Sequence, residues 1–160
     1  METLDGPDLV DKVKGLLDAA RAQRVPVMYV EHVGFGQERP PQDALATDPR
    51  IAPLAGEPVV RKLYGDAFVG TSFDSELKRR GIGHLVLCGL ATQGCLNAAC
   101  AHAKALGYEV TVVEDANAAA GGSPVEKTAQ DVVADFLEAW RKMGVTLVRA
   151  RDLDFSRLRA

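Results

Sequence analysis

Apolar positions follow two different periods along this chain, and the two alternate. A helical period, with apolar residues three or four positions apart, occurs in residues 8–23, 72–81, 94–107 and 123–144. Short continuous runs of β-branched and other apolar residues occur at 25–30, 59–62, 84–90, 109–116 and 145–153. Pro7 and the pair Ser123 and Pro124 are predicted to start the first and last helices. The pattern therefore predicts four helices interleaved with five strands.

This alternation predicts an α/β fold. Strands joined through helices are parallel, with right-handed crossovers, so we expect a three-layer α-β-α arrangement around a mostly parallel sheet. The 160 residues suffice for one such domain, 1–160, and are too few for two. Residues 34–58 are rich in proline, glycine and polar residues without periodicity, which predicts a long surface loop.

Composition narrows the functional classes. Hydrophobic residues make up 47% and charged residues 26%, and the net charge is −3, so nothing favours nucleic acid or an anionic membrane as a partner. No apolar stretch has the length of a membrane span or the form of a signal peptide, which predicts a cytoplasmic protein. The odd number of cysteines predicts free thiols, and no CxxC pair or ligand-like histidine spacing favours a metal or cofactor.

One cysteine stands out by its position. Cys95 lies in "CGLATQGC", where a buried strand gives way to an alanine-rich helix. Unpaired backbone N–H groups in the first turn of a helix stabilise a thiolate and could hold an oxyanion. A small residue that simply packs well would fit the same turn. From the residues alone, both a nucleophile and an inert packing residue remain open.

The surrounding sequence resembles the isochorismatase-like cysteine hydrolases. Two motifs carry the resemblance: a lysine after a strand followed by an aromatic residue and Gly-Thr (Lys62, Phe68, Gly70, Thr71), and the strand, turn and Cys95 of "LVLCGLATQGCLNAAC". The resemblance extends from "VPVMYVEH" to the end of the chain. It implies the fold named above, in a Rossmann-like strand order, and an active site closed by a neighbouring subunit in a homo-oligomer.

The resemblance implies a catalytic triad of aspartate, lysine and cysteine. Cys95 would attack the substrate carbon, Lys62 would place a positive charge beside the thiolate, and the aspartate would move the proton. The resemblance also implies a cis peptide bond between Ala91 and Thr92, in a turn that directs N–H groups at the oxyanion. Tyr64 and Phe68 are the corresponding candidates for the substrate pocket.

The family aspartate has no counterpart in the sequence. In the family it ends a first, central strand, whereas this chain opens with "METLDGPDLVDK", so we expect an N-terminally shortened domain with two inner sheet edges unpaired. Glu31, at the end of a strand, and Asp5, near the place of that aspartate, are the candidate substitute acid or base groups. His32 stands alone in "EHVG", which argues against zinc, and Asp66 is expected to be solvated.

The sequence therefore predicts a metal-independent cysteine hydrolase acting on a small amide, imide or vinyl-ether-like substrate. The alternative is a catalytically impaired protein of the same fold that serves as a binding or assembly module. A thiol redox sensor built on Cys95 and Cys100 is a third hypothesis, although residues five positions apart do not share a helix face.

Overall fold

The structure, a computed structural model, describes residues 7–34, 47–119 and 128–158. It confirms the predicted order of helices and strands. The elements, in chain order, are α1 (Pro7–Ala22), β1 (Tyr29–His32), β2 (Val59–Lys62), α2 (Phe73–Arg79), β3 (His84–Leu90), α3 (Asn97–Ala105), β4 (Glu109–Ala118), α4 (Ala129–Lys142) and β5 (Thr146–Val148).

All strand pairs are parallel, as the alternation predicts. Among the described residues the strands form two sheets, one with the order β1-β2 and one with the order β3-β4-β5. The edge of β1 away from β2 and the edge of β3 away from β4 therefore have no strand partner in this part of the chain.

Helices cover both faces of β4, which gives the three layers. Val110 and Val112 belong to one core cluster, to which residues of α2, α3 and α4 also contribute. One of these residues is the fully buried Trp140 of α4. Val113, the next residue along β4, belongs to a second cluster with Val13 and other residues of α1. Successive residues of a strand point to opposite faces, so this assignment follows from the strand period. Within the described ranges no helix combines the length and apolar character needed to cross a membrane.

The first strand begins later than predicted. The sequence places it at 25–30, whereas β1 covers Tyr29–His32. The N–H of Val25 instead closes the end of α1 by donating to Ala20 O (2.9 Å), after Arg24 has adopted a positive φ of 58°. Pro26 has no N–H to offer a neighbouring strand. The shift brings His32 into the strand.

The last helix also begins later than predicted. Its N-cap is Thr128, whose hydroxyl accepts from Asp131 N (3.1 Å) while the Asp131 carboxylate accepts from Thr128 N (3.0 Å). This reciprocal capping box satisfies two backbone donors and fixes the start of α4. Ser123 and Pro124, the predicted start, lie outside the described residues.

Candidate active site

The strand before the cysteine turn is distorted near its end. The pairing of β3 with β4 shifts between Leu87 and Gly89, and Gly89 has a φ of 117°, which a residue with a Cβ rarely adopts. The non-proline cis peptide bond is Leu90–Ala91. The expectation of a cis bond between Ala91 and Thr92 is therefore wrong by one residue. Ala91, the residue after β3, already belongs to the turn, because its carbonyl oxygen accepts hydrogen bonds from Gly94 N and Leu96 N.

Cys95 lies inside a wide, π-helical turn, Thr92–Leu96, that precedes α3. Ala91 O accepts from Gly94 N (3.0 Å) and Leu96 N (3.2 Å), and Gly94 leaves the helical conformation, with φ −112° and ψ −109°. The predicted helix from residue 94 is thus an α-helix only from Asn97 onward. The half-buried thiol projects from the turn rather than from the helix proper.

The turn is anchored to the core of the larger sheet on both sides. The hydroxyl of Thr92, a fully buried residue, donates to Asn117 Oδ1 (2.7 Å), and Asn117 Nδ2 donates to Val113 O (3.0 Å). Directly after the turn, Asn97 Oδ1 accepts from Trp140 Nε1 (2.9 Å). These bonds to β4 and α4 fix the position of the Cys95 sulfur.

Lys62 ends β2 and brings a buried ammonium group to that sulfur. The residue is 4% exposed, and its Nζ lies 3.0 Å from Cys95 Sγ. Nζ also donates to Tyr64 O (2.9 Å) and Gly65 O (2.7 Å). A buried charge needs such partners, because desolvation otherwise disfavours it strongly. The two residues that the resemblance pairs are therefore adjacent in space.

His32 completes this cluster, and sequence reasoning did not assign it a role there. It pairs with Lys62 in the register of β1 and β2. Its Nδ1 lies 3.5 Å from Lys62 Nζ and 3.6 Å from Cys95 Sγ. Burial, and then the charge of Lys62, lower the pKa of His32 below its ordinary 6.5, while backbone hydrogen bonds with Gly34 and Leu63 act in the opposite direction. The imidazole is therefore neutral at pH 7.

The two candidate substitute carboxylates do not join the cluster in the described structure. Glu31 lies against Arg61 (Nε to Oε2, 3.5 Å) and Thr47 (Oγ1 to Oε1, 3.4 Å). It precedes His32 in β1, so the strand period directs the two side chains to opposite faces. Asp5 lies outside the described residues.

The two candidate pocket residues differ in their surroundings. Tyr64 accepts a hydrogen bond from Lys62 through its backbone carbonyl. The residue is 55% exposed, so its ring is accessible beside Lys62. Phe68 is half-buried and packs against Phe73 and His102, with ring centroids 4.8 Å and 4.9 Å apart. Phe68 is thus part of the core packing that supports the segment after β2.

Asp66 has a fixed partner, contrary to the expectation that it is solvated. Its Oδ2 lies 2.6 Å from His102 Nδ1 on α3, and its Oδ1 accepts from Phe68 N (2.9 Å). The contact is an ion pair when His102 is protonated and a hydrogen bond when it is neutral. It joins the segment carrying the Tyr64 and Gly65 carbonyls to the helix that follows Cys95.

Within the described ranges, Cys88 and Cys100 have no cationic side chain at contact distance. Burial raises the pKa of Cys100, which is fully inaccessible, to about 11. Cys88 is exposed at its surface. Desolvation by the surrounding protein nevertheless raises the pKa of its thiol to about 11 as well. Both groups are thiols at neutral pH. Among the described residues no group of three histidine, cysteine, aspartate or glutamate side chains is arranged to hold a metal ion.

Comparison with known proteins agrees with this geometry. The isochorismatase domain model matches residues 2–152. The structure of a cysteine hydrolase from Pseudomonas syringae pv. phaseolicola superposes with a TM-score of 0.82 at 25% identity, covering 90% of this chain and 77% of that one. The chain therefore belongs to the isochorismatase family, and its fold is the three-layer α/β fold of that family.

Two curated relatives are amidohydrolases. A ureidoacrylate amidohydrolase from Azorhizobium caulinodans is 35% identical over 59% of this chain and 46% of its own length. A maleamate amidohydrolase from Pseudomonas putida is 34% identical over 51% of this chain and 38% of its own length. The match thus spans less than half the length of each of these two relatives.

Proposed function

We propose that this chain is a cysteine hydrolase that cleaves a small amide, imide or vinyl-ether-like substrate. Cys95 is the nucleophile and Lys62 its electrostatic partner. The observation that carries the proposal is the 3.0 Å contact between a buried ammonium group and the Cys95 sulfur, formed by residues 33 positions apart. An adjacent lysine stabilises a thiolate, which is the reactive form of cysteine.

The reaction class follows from the nucleophile and from the relatives. A thiolate adds to the carbonyl carbon of an amide, the amine leaves, and water hydrolyses the resulting thioester. The names of the two amidohydrolase relatives make small amides the first substrates to test. In the proposal, the turn at Ala91 and Thr92 supplies backbone N–H groups to the oxyanion, supported by the anchoring of the buried Thr92 hydroxyl.

Alkylation with iodoacetamide tests the nucleophile without knowledge of the substrate. Near neutral pH we expect Cys95 to react faster than Cys88 by at least tenfold, because the pKa of the exposed Cys88 is about 11. Cys88 is the matched control, since it separates accessibility from ionisation. Equal rates for the two residues would contradict an activated thiolate at Cys95.

Ammonia release from maleamate and ureidoacrylate tests the activity itself. Turnover is expected to disappear in Cys95→Ala and to persist in Cys88→Ala. Turnover that persists in Cys95→Ala would overturn the proposal, whereas Cys95-dependent turnover would exclude a purely structural binding module. Dialysis against EDTA is expected to leave the rate unchanged. The homo-oligomer and the cytoplasmic location stay predictions, the first of them open to analytical ultracentrifugation.

A further inference from the structure

The hydrolysis of an amide needs a group that moves protons as well as a nucleophile. The thiol must lose its proton, the leaving amine must gain one, and water must lose one in the second half of the reaction. Lys62 holds a buried positive charge and accepts no proton while it remains an ammonium. The question is which side chain at the sulfur can perform these transfers.

Among the described residues, Cys95 Sγ has two side-chain partners within hydrogen-bonding distance for sulfur. One is Lys62 Nζ at 3.0 Å and the other is His32 Nδ1 at 3.6 Å. The neighbouring carboxylate of Glu31 is engaged with Arg61 and Thr47. The imidazole is therefore the group placed to exchange a proton with the sulfur.

The hydrogen bonds of Lys62 show how closely the lysine holds this imidazole nitrogen. An ammonium group has three protons. Its three shortest contacts, to Gly65 O (2.7 Å), Tyr64 O (2.9 Å) and Cys95 Sγ (3.0 Å), can use all of them. The contact from Nζ to His32 Nδ1, at 3.5 Å, is the longest of the four. Nδ1 is thus oriented toward the thiol without a strong bond from the lysine.

The ionisation of the imidazole fits the same role. Burial and the nearby charge of Lys62 lower the pKa of His32 from 6.5, so the neutral form that can accept a proton predominates at neutral pH. Among the described residues, Lys62 from β2 and Cys95 from the turn are titratable groups that face the ring. A positive charge beside the ring also makes its protonated form a stronger acid toward a leaving amine.

We propose that His32 is the catalytic acid and base of this site. The inference rests on the proposed function, because it requires Cys95 as nucleophile. In the first step Nδ1, which is unprotonated in the tautomer with its proton on Nε2, takes the thiol proton. The resulting thiolate, stabilised by Lys62, bonds to the carbonyl carbon while the carbonyl electron pair moves to oxygen. On collapse the C–N bond breaks, and the amine leaves with the proton from Nδ1.

The second half of the reaction reverses these roles. Water gives a proton to Nδ1 as its oxygen attacks the thioester carbon, the C–S bond breaks, and the sulfur leaves with its electron pair. The proton on Nδ1 then returns to the sulfur. The sum is amide plus water giving acid plus amine, with no other reactant.

Two acyl donors that differ in their leaving group test this assignment with His32→Asn. The ester p-nitrophenyl acetate releases an anion that needs no proton, whereas maleamate releases an amine that does. We expect the variant to lose amide turnover by about 10²–10⁴-fold. It should still acetylate Cys95 from the ester, because solvent can take the thiol proton and p-nitrophenolate leaves without one, and it should then hydrolyse the thioester slowly. Acetyl-Cys95 should therefore accumulate, visible by mass spectrometry and as a burst of p-nitrophenolate.

Hydroxylamine and a second histidine variant provide the controls. Hydroxylamine attacks a thioester without a general base, so it should restore ester turnover in His32→Asn. The matched control is His84→Asn, because His84 also lies on a strand but bonds to Thr111 (2.8 Å). Circular dichroism and thermal melting show whether each variant is folded, and His32→Gln serves if His32→Asn is not.

The outcomes separate this inference from the proposed function. Equal losses for ester acylation and amide hydrolysis, with no acetyl-Cys95, would show a merely structural role and overturn the assignment of His32. Amide turnover at the wild-type rate in His32→Asn would do the same while leaving Cys95 as nucleophile. If the wild type cleaves neither amide, the acylation burst and slow thioester hydrolysis still decide the role of His32. Acetylation unchanged by Cys95→Ala would instead contradict the proposed function.

Discussion

The two sheets hold their parts of the site by different means. In the three-stranded sheet, Val112 and Val113 of β4 are both 0% exposed, and helices pack on both faces. In the two-stranded sheet, β1 has no fully buried residue and Val30 is 37% exposed. Apolar packing therefore holds β4, and hydrogen bonds such as that from Thr92 to Asn117 attach the turn of Cys95 to it.

Polar contacts position the groups that face the sulfur. Lys62 is held by the carbonyls of Tyr64 and Gly65, and the segment that carries them is joined to α3 through Asp66 and His102. Polar contacts are directional but individually weak, whereas apolar burial is strong and non-directional. The comparison indicates that substitutions in β4 should change stability, whereas those at the polar contacts of Lys62 should change reactivity.

Lys62→Met is expected to have the largest effect. It removes the charge but keeps an unbranched apolar stem in a buried position, so the fold should persist. Loss of a preorganised electrostatic partner should lower the rate of the Cys95 reaction by about 10²–10³-fold, roughly 3–4 kcal/mol. The measurement is the rate of ester acylation and of iodoacetamide alkylation at Cys95.

Lys104→Met is the matched control for this prediction. Lys104 also donates to a backbone carbonyl, Gly144 O at 3.2 Å, but it lies on α3 with an exposed contact. Its replacement should leave the reaction rate within about twofold. A loss of stability in Lys62→Met as large as its loss of reactivity would show that the lysine supports the fold rather than the chemistry.

One substitution placed in each sheet tests the difference in packing directly. Val112→Ala removes buried methyl groups and leaves a cavity, so the free energy of unfolding should fall by about 2–3 kcal/mol. Val30→Ala removes the same groups from a site 37% exposed and should cost less than about 1 kcal/mol. Urea unfolding measures both. Equal costs would show that the smaller sheet is packed as firmly as the larger one.

The pair of Asp66 and His102 should have a smaller effect, confined to reactivity. Their contact of 2.6 Å is partly exposed, so we expect Asp66→Asn to slow the Cys95 reaction by about threefold to tenfold. The physical reason is a less fixed segment at Tyr64 and Gly65, and hence a less fixed Lys62 ammonium.

A double-mutant cycle checks this coupling. His102→Gln should slow the reaction by a similar factor, and the double variant should be no slower than either single variant, because both changes remove one contact. Glu138→Gln, which breaks the exposed pair with Lys142, should have no effect. Additive losses in the double variant would mean that the two residues act separately.

Local patterns in the sequence suffice for the element order. Helical and strand periods, with parallel crossovers, predict the three layers. The resemblance to the isochorismatase-like hydrolases, rather than any period, implies that Lys62 lies beside Cys95. The exact ends of the helices and strands depend on hydrogen bonds, which the period of apolar positions does not predict. Thr128 rather than Ser123 starts α4 because Asp131 completes its capping box, and Val25 is diverted from β1 because it caps α1.

The sequence does not predict that His32 joins Lys62 and Cys95, for a related reason. His32 reaches the sulfur through the register of β1 against β2, which pairs it with Lys62, and the sequence of either strand alone does not specify that register. A signal was nevertheless present. Once β1 is placed at Tyr29–His32, the strand period separates His32 from Glu31, and only one of the two can face Lys62.

The smallest expected effect concerns the pH dependence of stability. The folded pKa of His32 lies below its ordinary 6.5, first through burial and then through Lys62. Between 6.5 and the folded pKa, the imidazole of the unfolded chain binds a proton that the imidazole of the folded chain does not. The contribution of His32 to the free energy of unfolding is therefore lost as pH falls through 6.5 toward the folded pKa. Carboxylates with lowered pKa values, such as Glu57, contribute in the same direction but are common to every variant. The fall in melting temperature between about pH 7.5 and about pH 5.5 should therefore be smaller in His32→Asn than in the wild type, and intermediate in Lys62→Met, which keeps the burial but removes the charge. Identical pH dependence in all three proteins would mean that the imidazole is as accessible in the fold as in the unfolded chain, and that the smaller sheet does not enclose its part of the site.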